Sequence, residues 1–300
     1  MTADHSHSFA RPRPLVSVWP TGQVDSRAQL AERCYVPETA HDADRMPPAM
    51  AAHAIATYTR RGDTVLDPDC GAGTVLTEAL RSGRHAIGLT GQRRWWPVAR
   101  ANVTAAKHDG AALDGMVLDT SPASAVALLA GLAGHIALVL TALRPSTGPA
   151  SGRAAPEEPA ARLRQALTEC RPMLRPGGHV IVTVRPHWHR DQLLDLTGRA
   201  LSAGREAGLV PVERCVALLA ALRGDQLIVR ASLAQRRGAA RLERAIGHPI
   251  MLTAHHDVLV FRAPHEETSA AAVRTPQLAE MSRRHAADEQ EHDELMREVA

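Results

Sequence analysis

Lysine is almost missing from this chain: Lys107 is the only one, and the rest of the basic charge is arginine. A lysine-poor, Ala- and Arg-rich composition is the usual product of GC-rich coding, so the arginines alone do not argue for a nucleic-acid partner. The formal net charge of +3 permits an acidic polymer as partner without requiring one. Aromatic residues make up 3% of the chain, which leaves the core to Ala, Leu and Val. The cysteines Cys34, Cys70, Cys170 and Cys215 are scattered and form no CxxC pair. That spacing suggests neither a zinc site nor a disulfide framework, and reduced thiols in a cytoplasmic protein are expected. No window approaches ~18 consecutive apolar residues, so no membrane span is expected. The opening "MTADHSHSFARPRP" lacks the apolar centre of a signal peptide. Histidines are plentiful, yet none stands in H-x-x-x-H, and no metal is expected, at His187 and His189 around Trp188 or elsewhere.

What is present is an alternation of short apolar runs and helical segments. Residues 1–45 are rich in Pro, His and charge without a sustained period, and read as an extended arm or loop-rich cap. "PPAMAAHAIATYT" predicts a helix with Pro47 or Pro48 in its first turn. "TVLD", "HAIGLT", "GMVLD", "IALVLT" and "HVIVTV" read as strands, with helices between them, one of them stopping at Gly83. A further helix is expected from about Asp191 to Ala207. A turn at "RGDQ", a short strand "LIVR", an Arg-rich excursion from Ala231 to Gly247 and a last strand "HDVLVFRA" follow. The pattern predicts an α/β fold with a mostly parallel sheet flanked by helices and an antiparallel edge pair near the end. The fold domain spans 46–263, and 264–300 is a charged tail, helical or disordered.

The chemistry-bearing stretch is "TVLDPDCGAGTVLTEAL". It places Gly71 and Gly73 between a strand and a helix N-terminus, where the backbone can approach a ligand and the helix end offers free N–H groups. In an open parallel sheet, ligands sit at the carboxyl ends of the strands. The spacing is neither G-x-x-x-x-G-K-[ST] nor a full G-x-G-x-x-G.

With "TEALRSGRHAIGL", this stretch resembles the cofactor motif of DNA amino-methyltransferases, whose typical run is D-P-F-x-G-S-G-T, then a helix, then G-R-x-x-I-G. Asp67, Pro68, Gly71, Gly73, Thr74, Gly83, Arg84, Ile87 and Gly88 carry the match. The resemblance covers roughly residues 35–263. It implies a class I methyltransferase (Rossmann-like) fold, S-adenosylmethionine as cofactor and DNA as partner. It also implies methyl transfer to an exocyclic amine of adenine or cytosine. The cofactor would lie against Asp67, Pro68, Cys70, Gly71, Gly73 and Thr74. Asp67 would orient the loop or the methionine amino group. Asp119 falls at an acidic contact to the adenine or, alternatively, at a helix N-cap for which Thr120 and Ser121 compete. Trp95 is either a cofactor-side residue or a packing residue.

Two positions depart from the family. The acid that accepts both ribose hydroxyls is replaced by Thr90, where Thr90 or Gln92 could make one hydrogen bond to the cofactor but not the charge-assisted pair, an interaction of about 1.5–3 kcal/mol. The fourth-strand motif [DNS]-P-P-[YFW] is replaced by Thr141-Ala142-Leu143-Arg144-Pro145-Ser146. In the family, the polar residue and a proline carbonyl accept the hydrogens of the flipped base's amine, which stacks on the aromatic. Ala142 supplies no acceptor, and Arg144 sets a cation where positive charge must develop. Thr141 and Ser146 are the remaining candidate acceptors. Three functions follow: methylation of a DNA base amine, a non-catalytic relative that binds DNA or protein, and methylation of another substrate. Reduced or absent catalysis is expected on chemical grounds. "RRGAARLER" offers a basic face for phosphates if helical, or a plain solvated surface.

Overall fold

The computed structural model describes residues 15–125, 129–144, 159–189 and 192–264. Ser146, the tail beyond 264 and the first 14 residues lie outside the described residues. The elements run, in chain order, β1 (Val18–Trp19), α1 (Ser26–Glu32), α2 (Pro48–Tyr58), β2 (Thr64–Asp67), α3 (Thr74–Arg81), β3 (His85–Leu89) and α4 (Trp96–His108). They continue with β4 (Gly115–Leu118), α5 (Pro122–Ala125), β5 (Ile136–Ala142), α6 (Pro159–Cys170), β6 (Leu174–Val184), β7 (His187–His189) and β8 (Gln192–Leu194). The last are α7 (Leu196–Glu206), β9 (Val210–Leu218), β10 (Ala221–Arg223), β11 (Gln226–Ile228), α8 (Leu233–Ile246) and β12 (His255–Arg262).

Eight strands form one sheet in the order β1-β9-β12-β6-β5-β2-β3-β4. The chain runs β2, β3, β4 outward from the centre and returns to place β5 on the other side of β2. All these pairs are parallel, which is the class I methyltransferase arrangement expected above. The reversal between β2 and β5 opens a crevice at their carboxyl ends. The antiparallel strand is β12, bonded to both β6 and β9. The shorter antiparallel pairs β7–β8 and β10–β11 stand apart from the main sheet.

Because side chains alternate along a strand, each central strand feeds two cores. Leu66, Val139, Val180, Val182 and Phe261 point to the layer of α6 and α7, where Leu163, Leu167, Ala200 and Ala203 meet them. Val65, Leu138, Leu140, Ile181 and Val258 point to α2, α3 and α4, against Met50, Ile55, Leu76 and Val103. The arm contributes to this second core through Trp19, which is 2% exposed. Its strand β1 pairs in parallel with β9.

One helix limit and one strand limit differ from the sequence reading. The helix expected from Asp191 begins at Leu196, where Asp195 caps it by accepting the Gly198 N–H at 2.8 Å; Gln192–Leu194 is paired with β7 instead. The strand expected at "HVIVTV" begins earlier, at Leu174, and takes in "RPGG". There the register against β5 jumps from Ile136↔Leu174 to Leu138↔His179, a bulge that the two glycines accommodate.

Candidate functional site

The glycine loop folds as the sequence requires. Gly71 and Gly73 have φ of +50° and +82°, the left-handed region that favours glycine, and Gly73 is the residue from which α3 starts. The N–H groups of Cys70, Ala72 and Gly73 are engaged within the chain. Cys70 donates to the Leu89 carbonyl at 2.9 Å and Gly73 to the Cys70 carbonyl at 2.8 Å. Ala72 donates to Asp42 Oδ2 at 3.0 Å. On the other side of the same residue, the Ala72 carbonyl accepts from Asn102 Nδ2 at 2.9 Å. Asn102 also donates to Thr39 Oγ1 at 2.7 Å and accepts from the Val36 N–H at 2.9 Å. The arm is thereby stitched to the loop through one buried amide.

Arg144 is the central surprise. It leaves the end of β5 and turns inward, its side chain only 8% exposed. Its Nη1 and Nη2 donate to Asp42 Oδ1 and Oδ2 at 3.0 and 3.2 Å, a two-point pair. Its Nε lies 3.6 Å from Asp69 Oδ2, and its carbonyl accepts from Arg162 Nη2 at 3.0 Å. A Cβ built on Gly71 would collide with this guanidinium and with the Asp42 carboxylate. Burial works against the charge on Arg144, but Asp42, Asp69 and Asp67 outweigh it and raise its pKa above the ordinary arginine value.

Asp67 ends β2 beside this pair. Burial pushes its carboxyl up to about 7, despite the pull of Arg144, the Asp69 N–H (3.1 Å) and the Thr141 hydroxyl, each of which favours the charged form. Burial also raises Asp69 and Asp44 against the opposing field of Arg144. Thr141 is thus buried with its hydroxyl turned to Asp67, and the next residues, Ala142 and Leu143, bring no polar side chain.

Beyond Arg144 the crevice opens into a cleft of about 340 Å³. Pro68, Gly91, Gln92, Ser121, Pro122 and Thr141 are among its lining residues, with Leu143, Leu163 and Ala166 on the α6 side. Of the cofactor residues expected from sequence, only Pro68 borders this space. Thr90 is fully buried and its Oγ1 accepts from the Gln92 N–H at 3.3 Å, closing a local turn. Cys70 packs into the core under the loop, and burial holds its thiol well above the ordinary range. Thr74 is buried in the first turn of α3. Asp119 pairs with exposed Arg93 at 3.5 Å, while Ser121 lies at the start of α5 with its Oγ 3.5 Å from the Ser124 N–H. Trp95 is buried, with Arg94 stacked on it, and Trp96 donates its indole N–H to the Val117 carbonyl at 3.1 Å.

The sequence reading missed Asp42 and Asn102. It also missed a second buried set on α3, in which Tyr35 donates to Glu78 at 2.7 Å while Arg33 and Arg81 pair with the same carboxylate. A signal for Asp42 did exist. A cation at a buried strand end needs an acid, and "HDAD" is the acidic stretch immediately before the helix that packs beside the loop.

A second, wider groove of about 790 Å³ faces the carboxyl ends of β5 and β6. Ala142, Thr183, Arg185, Trp188, Arg230 and Leu242 are among its lining residues, and Trp188 is 41% exposed. "RRGAARLER" is helical within α8, with Arg237, Arg241 and Arg244 exposed, while Arg236 donates to the Ala231 and Val229 carbonyls. Among the described residues no cluster of His, Cys, Asp and Glu could hold a metal ion, and no helix is long and apolar enough to cross a membrane.

Compared with known proteins, residues 2–93 match the family described as DNA methylase. No curated protein matches the chain. Among solved structures, a SAM-dependent methyltransferase from Methanosarcina mazei is similar at 12% identity, covering 71% of this chain and 98% of that one with a TM-score of 0.46. A TehB-like SAM-dependent methyltransferase from Corynebacterium glutamicum is similar at 15% identity, covering 79% and 96%, with a TM-score of 0.40. A geranyl diphosphate methyltransferase in complex with SAM is similar at 14% identity, covering 82% and 97%, with a TM-score of 0.43. The strand order set out above, rather than these low-scoring likenesses, carries the fold.

Proposed function

We propose that this chain is a methyltransferase-fold protein of DNA-methylase descent that retains a nucleoside cleft and does not methylate base amines. The direction taken by Arg144 carries this reading. Transfer to an exocyclic amine needs an acceptor for the amine's hydrogens beside the electrophilic methyl. At the end of β5 the Thr141 hydroxyl serves Asp67, Ala142 and Leu143 offer no polar side chain, and the next side chain is a buried cation.

S-adenosylmethionine would supply a methyl group on a sulfonium. The residues present fit its two halves unequally. The cleft between Gln92, Ser121 and Leu163 is within the size range of small-ligand sites and suits a nucleoside, although Thr90 cannot supply the ribose acid. The amino-acid half does not fit beside Gly71, because Arg144 and Asp42 are already there.

Incubation with methyl-labelled S-adenosylmethionine and unmethylated genomic DNA tests the reading. No label above that of a heat-denatured control is expected, and labelled DNA that survives repurification overturns it. DNA methylation itself is the second reading, favoured by the match over residues 2–93. DNA as a non-covalent partner draws support from the groove that holds Trp188, Arg185 and Arg230 and from the exposed arginines of α8. Its affinity should fall steeply with salt, as phosphate contacts do.

A further inference from the structure

An α-amino acid brings two charges to a protein: a carboxylate, which seeks N–H donors, and an ammonium, which seeks acids. At the glycine loop both demands are already met from within the chain. The Asp42 carboxylate takes the Ala72 N–H at 3.0 Å, the bond an anionic ligand group would take at such a loop. The Arg144 guanidinium sits among Asp42, Asp69 and Asp67, where a ligand's ammonium would find its partners. Gly71 lacks a side chain at the point where this pair presses on the backbone, since a Cβ would meet both members. Arg162 holds the Arg144 carbonyl from the cleft side at 3.0 Å, so the backbone that delivers the guanidinium is itself anchored.

We propose that the Asp42–Arg144 pair is an internal substitute for the amino-acid end of an S-adenosylmethionine-type ligand. The cleft therefore takes adenine nucleosides that lack the aminocarboxypropyl chain. Arg144 is the residue that sets this specificity, through occupancy and not through contact with the nucleoside. This rests on the cleft being a nucleoside site, as proposed above. A ligand that carries the chain must expel a guanidinium held at two points and leave a buried carboxylate without its partner, an unfavourable exchange.

Calorimetry with S-adenosylhomocysteine and 5′-methylthioadenosine tests the assignment, because the two share the nucleoside and sulfur and differ in the amino-acid chain. The native protein should bind methylthioadenosine at least as tightly as S-adenosylhomocysteine. The double variant Asp42→Asn/Arg144→Met removes both charges and strands neither. It should bind S-adenosylhomocysteine at least tenfold more tightly than the native protein does, with methylthioadenosine changed less than threefold. The proposal is overturned if the native protein prefers S-adenosylhomocysteine by tenfold or more. It is equally overturned if a folded double variant shows no gain, or if neither ligand binds either protein. The native comparison does not depend on any variant folding. These affinities are also independent of DNA labelling, so a failure here and a failure of the non-methylating reading give different results.

Discussion

The crevice at the sheet's reversal has two walls of opposite character. On the β2–α3 wall the loop is engaged from within the chain: Asp42 takes the Ala72 N–H, Asn102 binds the Ala72 carbonyl, and a buried guanidinium lies against Gly71. On the β4–α5 wall, Gln92, Ser121 and Pro122 border a cleft of about 340 Å³. Both walls stand at the same sheet edge and come from the same kind of strand–loop–helix unit. What separates them is whether the polar groups of the loop find their partners inside the chain. A glycine loop is therefore not in itself a ligand site, because its donors can be met by the protein's own side chains.

The contrast can be broken most forcefully at its ionic centre. Asp42→Ala leaves the Arg144 charge buried without its two-point partner, and a loss of about 3–5 kcal/mol in unfolding free energy is expected. Urea denaturation measures it, and the Asp42→Asn/Arg144→Met protein should recover most of the loss. If the single and double variants are equally unstable, the pair is not the organising element of this wall.

Asp67 gives an effect of the opposite sign. Its carboxyl titrates at about 7 in the fold against ~3.9 in an unfolded chain, so the native state holds the proton more tightly. The contribution of Asp67 is intact below about pH 4 and is lost as the pH rises through 7. Asp67→Asn should remove that loss and raise stability at pH 8 by up to ~4 kcal/mol, with a flatter profile from pH 4 to 7. A variant profile parallel to that of the native protein would place the titration elsewhere.

Asn102→Ala should cost about 2–3 kcal/mol, since it leaves buried partners at Ala72 and Val36 unsatisfied. It should also speed amide exchange at Val36, whose N–H loses its acceptor. The smallest effect belongs to the open wall. Ser121→Ala should change stability by no more than ~0.5 kcal/mol, and a larger loss would mean that this wall too is structurally committed.

Much of this was legible in the residues. The short apolar runs and the "DPDCGAG" loop pointed to a parallel sheet with a glycine turn ahead of α3, because burial on both faces leaves near-continuous apolar runs. The degenerate β5 end was also visible, since the side chains of Ala142 and Leu143 can accept no hydrogen bond in any conformation. The roles expected of Thr90, Cys70 and Asp119 rest on position in a motif alone. Whether such a side chain meets a ligand or its own neighbours depends on contacts distant in sequence. Arg144 shows why: its partner lies 102 residues away, and no local pattern reports a contact of that range. Nor does a helical window announce that Asn102 will serve a loop on another unit.

The placement of β12 has a consequence in time. The ribbon of β1 and β9 joins the rest of the sheet only through β12, whose residues come at 255–262. During synthesis, β1 is made long before β9, and β9 before β12. Neither can dock until almost the whole described chain has left the ribosome. The β2–β6 body can assemble early, whereas this flank waits on one late, long-range pairing, the kind of contact that slows folding.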